Sequence, residues 1–305
     1  MKIGLVLSGG GGKGAYELGV WKALNELNIE KYIDVFSGAS IGAFNAVLFA
    51  QNDMNAAERL WEEVTMEKLA PVSKAILIKK GVELAVGWKC INFAKRYMCQ
   101  SLESGIVSKD GAIDIINRYL KVGEVKKRGK ICYAACTKLP DFKAEYFKIN
   151  DYDDELGKNI VIASASLPRI YDCTEILGNK YIDGGVSDNT PIQPVYDEGC
   201  DIIIVVLLSK ISEINKRLYP NAKIIEIIPK TLNENTIKGT LNLDKISKEK
   251  RISEGYIDTI NLLQPIIALG EIKKENEVLE NKKSFLKMYS WAKRLLLEKE
   301  NRNIN

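Results

Sequence analysis

A serine sits between two glycines in Gly38-Ala39-Ser40-Ile41-Gly42. This is the G-x-S-x-G pattern, in which a strand-to-helix elbow exposes a nucleophilic hydroxyl and the small flanking residues leave room for the bend. The 305-residue chain contains no histidine. A Ser-His-Asp triad needs an imidazole between serine and acid, so that arrangement is excluded. The proton of Ser40 must go to Asp, Glu, Lys, Tyr or Cys. An ordinary aspartate is a weak base, but partial desolvation raises its pKa toward the useful range. Among the acids, Asp183 stands out. It ends the run "KYID" and is followed by Gly184 and Gly185, which let its carboxylate approach another backbone closely. A plain Asp-Gly turn gives the same local pattern.

A second glycine-rich stretch, "SGGGGKG", invites a phosphate-binding reading. The phosphate loop G-x-x-x-x-G-K-[ST] fails, because Ala15 and Tyr16 follow Gly14. The dinucleotide fingerprint G-x-G-x-x-G fits Gly9, Gly11 and Gly14, and Asp34 lies twenty residues on. A ribose-binding acid belongs at the carboxyl end of the second strand, however, and Asp34 lies near its start. The other reading is an oxyanion hole, made of backbone N–H groups aimed at charge that develops during acyl transfer. A helix opening after Gly14 adds its positive end to the same place. Lys13 either adds charge there, or contacts a lipid phosphate, or is an ordinary surface lysine.

These residues need elements to hold them. "KIGLVL" (2–7) reads as a buried parallel strand, and "AYELGVWKALNELN" carries Leu18, Trp21, Leu24 and Leu27 at helical spacing. "YIDVFSG" is a second strand running into the elbow, and "IGAFNAVLFA" is a helix apolar on nearly every side. This β-loop-α-β-turn-α order predicts an α/β fold whose two loops lie together at the carboxyl ends of parallel strands. Strands follow at 130–138 and 143–149 as a hairpin or an adjacent pair, then a helix near 154–166 and strands at 179–185, 200–209 and 222–229. Helices are expected over 53–104, broken at Pro71, over 111–120, and from about 233 onward with polar linkers. The stretch 66–104 is either a helical layer over the sheet or a lid lying on a membrane. "SFLKMYSWAKRLLLEKE" is a basic amphipathic helix and a second candidate for membrane docking.

Composition narrows the class. At 46% hydrophobic and 28% charged residues the chain belongs with soluble globular proteins. A net charge of +4 permits attraction to an anionic membrane but falls short of a nucleic-acid-binding signature. Six cysteines without CxxC spacing, in a chain lacking histidine, do not make the usual zinc sets and suggest a reducing compartment. No apolar run is long enough to span a bilayer, and the N-terminal run is too short for a signal-peptide core. The expected address is cytoplasmic, with peripheral membrane contact or secretion without a cleaved signal as variants.

Taken together, Gly9-Gly10-Gly11-Gly12-Lys13-Gly14, Gly38-Ala39-Ser40-Ile41-Gly42 and Asp183-Gly184-Gly185 resemble the patatin-like phospholipases in type, order and spacing. The stretch "IVIASASLPRIY" (160–171), Gly239-Thr240 and "EGYIDT" (254–259) resemble further family features. The resemblance implies a three-layer α/β/α fold with a mostly parallel central sheet. The resemblance spans about residues 2–265 and leaves the tail and much of 66–104 unassigned; with the helical patterns above, the expected division is a domain over 1–265, with a helical insert at about 66–104, and a helical extension over 266–305. The resemblance also implies a Ser-Asp dyad in which Ser40 attacks a lipid ester, Asp183 is general base and the amides of Gly10 to Gly12 hold the oxyanion. Lipid and membrane surface are the expected partners, with no metal or organic cofactor. Lysophospholipase, thioesterase or triacylglycerol lipase activity on the same dyad is the alternative, and a nucleotide-binding regulatory module is the reading from another class.

Overall fold

The computed structural model describes residues 1–72, 76, 102–210, 212–231 and 236–302, the last stretch with the side chains of 239–273, 282 and 283. Most of the expected insert, and the side chains of the expected basic helix near the C-terminus, lie outside these residues. The chain divides into two compact units, Met1–Thr259 and Ile260–Asn305. The sheet and the site belong to the first.

The first 50 residues form β1 (Ile3–Leu7), α1 (Ala15–Glu26), β2 (Ile33–Ala39) and α2 (Ile41–Ala50). α3 (Met54–Glu63) starts at an Asp53 cap, whose side chain accepts from the Ala56 N–H. α4 (Met66–Leu69) starts at a Thr65 cap and stops before Pro71, which cannot continue a helix. After α5 (Asp110–Tyr119) and α6 (Val122–Lys127) come β3 (Ile131–Lys138) and β4 (Lys143–Lys148), joined as the expected hairpin. α7 (Asp154–Ser164), β5 (Thr174–Ile176), β6 (Asn179–Asp183), α8 (Gln193–Asp197), β7 (Ile202–Val206) and β8 (Lys223–Ile227) follow.

The sheet has eight strands among the described residues, in the order β5-β6-β3-β2-β1-β7-β8, with β4 beside β3. The five strands from β3 to β8 run parallel, and β4 and β6 are antiparallel to β3. Alternation along the strands sends side chains to two faces. Val6, Val35, Ile203 and Val205 pack with Ile192 and Val195 at α8. Phe36, beside Leu5 in register, points the other way and meets the edge of Trp21 of α1, which stacks on Phe49 of α2 at 5.0 Å. Helices therefore cover both faces, and the architecture is the three-layer α/β/α fold expected.

Two elements differ from expectation. β5 is three residues long, too short for a period to register. Beyond α9 (Thr236–Leu241), one helix, α10 (Lys245–Arg302), replaces the expected mix of helix and linker and runs through Pro265. Proline there removes one backbone donor, which costs a long helix a single bond of its ladder. Among the described residues no helix is long and apolar enough to cross a membrane.

Candidate functional site

Ser40 alone makes the turn between β2 and α2. Its backbone lies at φ 54° and ψ −124°, a region that costs an L-residue about 1–3 kcal/mol. The surroundings hold it there. Its N–H donates to Ser164 Oγ at 2.9 Å, and that hydroxyl donates to the Ala135 carbonyl at 2.6 Å. The Ser40 carbonyl accepts the Ala43 N–H at 3.0 Å and so opens α2. Backbones pass too closely here for side chains. A Cβ on Gly38 would lie 2.1 Å from the Gly42 carbonyl oxygen, and one on Gly42 would lie 2.3 Å from that of Leu7.

One edge of β3 carries two strands end to end. β2 runs beside Ile131–Ala135, with Ala39 opposite Ala135. β6 runs beside Cys136–Lys138, with Asp183 opposite Cys136. The strands converge from opposite directions, so the residue after Ala39 arrives at Asp183. The Ser40 hydroxyl donates to Asp183 Oδ2 at 2.6 Å, and the Gly185 N–H donates to Oδ1 at 2.8 Å. The aspartate backbone is fixed as well. Its N–H donates to the Ser166 carbonyl at 2.9 Å, and its own carbonyl accepts from Thr137 Oγ1 at 2.7 Å. Burial pushes the Asp183 carboxyl up to about 6, against the bonds from Ser40 and Gly185 that favour the ionised form. Among the described residues no cation is paired with it.

The glycine loop follows β1, the parallel neighbour of β2, so it reaches the same end of the sheet. Gly10 leads into one 3-10 turn, Gly11–Gly14, and α1 begins at Ala15. The first N–H groups of such a turn have no acceptor within it. Gly11 has φ +54°, and Cβ atoms on Gly11 or Gly12 would meet the carbonyls of Thr240 and Asn242 at 2.5 and 2.2 Å. Gly9 exchanges bonds with Asn189, its N–H to the Asn189 carbonyl and Asn189 Nδ2 to its carbonyl, both at 3.1 Å. The loop is thereby stitched to the segment that follows Gly184 and Gly185. Gly14 packs against Ile41. Lys13 is buried, not displayed on the surface.

A cavity of about 130 Å³ opens on this arrangement. Gly11, Gly12 and Ser40 form its polar end, and Ile41, Phe44, Leu60, Ile115, Ile170 and Leu241 are among its apolar walls. A larger depression of about 920 Å³ also has Trp61 in its wall, but Ser40 does not line it. The chemistry belongs to the smaller one. Asp34, the acid a dinucleotide site would need, lies at the start of β2 beside Lys130, away from the glycine loop.

Ser164, Thr137 and Asn189 were not singled out by sequence reasoning. Ser164 lies within "IVIASASLPRIY" and Asn189 within "DGGVSDNTP", so both signals were in view, but their partners depend on long-range register.

A three-layer α/β/α fold with a serine elbow facing a buried aspartate defines a class, and comparison with known proteins narrows it. The model of the family described as Patatin-like phospholipase matches residues 5–196, and the chain belongs to that family, one of lipid hydrolases. The chain is 27% identical over 218 residues to Lysophospholipase NTE1 of Cryptococcus neoformans, covering 72% of this chain and 12% of the relative. It is 25% identical over 223 residues to the mouse patatin-like phospholipase domain-containing protein 7, covering 72% and 14%. The chain thus spans about an eighth of the length of the curated relatives it matches. Among solved structures, VipD from Legionella pneumophila aligns with a TM-score of 0.51 at 16% identity, over 87% of this chain and 66% of that one. That likeness concerns the fold.

Proposed function

We propose that this chain hydrolyses carboxylic esters of phospholipids or related lipids through an acyl-serine intermediate. The observation that carries the reading is the 2.6 Å bond to buried Asp183 from the Oγ of Ser40, which lines the polar end of an apolar cavity. Ser40 Oγ attacks the ester carbonyl while its proton passes to Asp183 Oδ2. The tetrahedral oxyanion is held by N–H groups of the Gly10–Gly12 loop, with the positive end of α2 beneath the serine. Collapse breaks the bond to the alcohol, which leaves with the proton from Asp183. Water then loses a proton to Asp183, attacks the acyl carbonyl and releases the fatty acid, returning the proton to Ser40.

A pKa near 6 suits this role. The carboxylate is mostly ionised at neutral pH, yet more basic than a solvated aspartate. The strained turn leaves the hydroxyl presented to substrate without further rearrangement. The apolar walls favour an acyl chain, and the relatives' names, lysophospholipase and patatin-like phospholipase, agree with that class. A membrane surface is the expected source of substrate.

The test is labelling with a fluorophosphonate, together with hydrolysis of diacyl and lysophospholipids and of acyl thioesters in parallel. Wild type should label at Ser40 and release fatty acid. Labelling that survives Ser40→Ala, or hydrolysis that stays near the wild-type rate in Asp183→Asn, overturns the assignment. The ranking within the panel separates phospholipase from lysophospholipase or thioesterase action.

A further inference from the structure

The carbonyl side of the glycine turn rests on a buried guanidinium from far along the chain. Arg251, in the second turn of α10, is 1% exposed. Its Nη1 donates to the Gly12 carbonyl at 2.9 Å and to the Asn242 carbonyl at 2.6 Å, and Nη2 donates to the Gly239 carbonyl at 3.1 Å. One side chain thus ties the glycine turn to residues 239–242, whose backbone also packs against Gly11 and Gly12. Arg251 and residues 239–242 lie beyond the 5–196 span that the family model matches.

The bonds continue past Gly12. The peptide that offers the Gly12 carbonyl to Arg251 carries the Lys13 N–H on its other side, and that N–H donates to the Gly10 carbonyl at 3.2 Å. The peptide of the Gly10 carbonyl carries the Gly11 N–H, and Gly11 lines the cavity with Ser40. A cation at one end therefore polarises two peptides in series, and hydrogen-bonded chains strengthen in this way, by roughly 10–30% per bond. Lys248, one turn before Arg251, acts similarly on the cavity wall. Its Nζ donates to the carbonyls of Glu62 and Val64, at 3.1 and 2.7 Å, and Val64 faces the cavity.

We propose that Arg251 is a positioning residue for the oxyanion loop, fixing and polarising the Gly12–Lys13 and Gly10–Gly11 peptides so that the Gly11 N–H is aimed and strengthened as a donor. The inference rests on the hydrolase reading above and extends the machinery beyond the matched domain. Arg251→Gln keeps polar donors without charge, and Arg251→Lys keeps the charge without the fork that reaches several carbonyls.

The experiment uses the full chain, a phospholipid ester that wild type cleaves, and fluorophosphonate titration to count folded sites. Arg251→Gln should lower kcat per titrated site about tenfold to a hundredfold, less than the roughly 10²–10³-fold cost of losing an oxyanion donor outright, because the Gly11 N–H is weakened and not removed. KM should stay within about threefold, and the acid limb set by Asp183 should not move. Arg251→Lys should recover part of the loss. If Arg251 is only a staple, melting temperature falls while kcat per titrated site stays at the wild-type value, and that result overturns the proposal. Should Arg251→Gln not fold, Arg251→Lys is read alone, and wild-type kcat per site in it overturns the proposal equally. A wild type that neither labels nor hydrolyses overturns the hydrolase reading and this one with it, whereas an active wild type with an equally active Arg251→Gln overturns this one alone.

Discussion

Strand β3 meets a carboxylate near each end, Glu198 by Tyr133 and Asp183 by Cys136. Glu198 accepts from the Tyr133 hydroxyl and Lys148 Nζ, each at 2.8 Å, and from Lys2 Nζ at 3.0 Å. Burial pushes its carboxyl up, but those three bonds outweigh it and hold it at about 2. Among the described residues Asp183 meets a hydroxyl and an amide but no cation, and burial wins. Both are hydrogen-bonded and largely out of water. What separates a bracing carboxylate from a basic one is the charge of the donors.

The comparison can be broken by removing each group in turn. Ser40→Ala deletes the nucleophile and should lower kcat by about 10⁵-fold, measured as fatty-acid release. Asp183→Asn keeps the shape and loses the base, and should cost about 10³-fold in kcat/KM, with Ser40 still present but slow to label. Wild-type kcat/KM should fall tenfold per pH unit below about 6, because the protonated carboxyl cannot accept the serine proton. A pH profile flat from 5 to 8 would contradict this basicity.

Stability should move in opposite directions at the two ends. The folded pKa of Asp183 lies above its ordinary value, so native stability is greatest while the group is protonated and declines as pH rises from about 4 to 6. Asp183→Asn should therefore stabilise the fold at pH 7 by about 1–3 kcal/mol while turnover falls as above. Glu198 is depressed, so its contribution is present above its ordinary pKa near 4.5 and is lost as pH falls toward 2. Glu198→Gln should destabilise by about 1–3 kcal/mol at pH 7, measured by urea unfolding. Equal shifts of the same sign in the two variants would dissolve the distinction.

Much of this arrangement was legible in the chain. Glycines at 38 and 42, a strand before Ser40 and an apolar helix after it follow from local sterics and periodicity. So does the position of Asp183 at a strand end, and the lack of histidine narrowed the choice of base. Ser164, Thr137, Asn189 and Arg251 were not legible, because each acts by reaching a backbone group far away in sequence. Serine, threonine and asparagine are common in turns, and an arginine on a charged helix looks like solvated surface until its three carbonyls are seen. The order in which β2 and β6 share the edge of β3 was also hidden. No spacing encodes which strands lie end to end.

That shared edge has a consequence for how such a chain can change. Ser40 and Asp183 are separated by 143 positions, yet they are indexed to Ala135 and Cys136, neighbours on one strand. The length of chain between α2 and β3 therefore does not enter the distance between them. Whatever stands over the cavity can be lengthened, shortened or exchanged, and the spacing of hydroxyl to carboxylate is inherited intact. Leu60, Val64 and Ile115, cavity walls drawn from that stretch, can be revised by a lineage, or a designer, while the pairing of hydroxyl and carboxylate is kept.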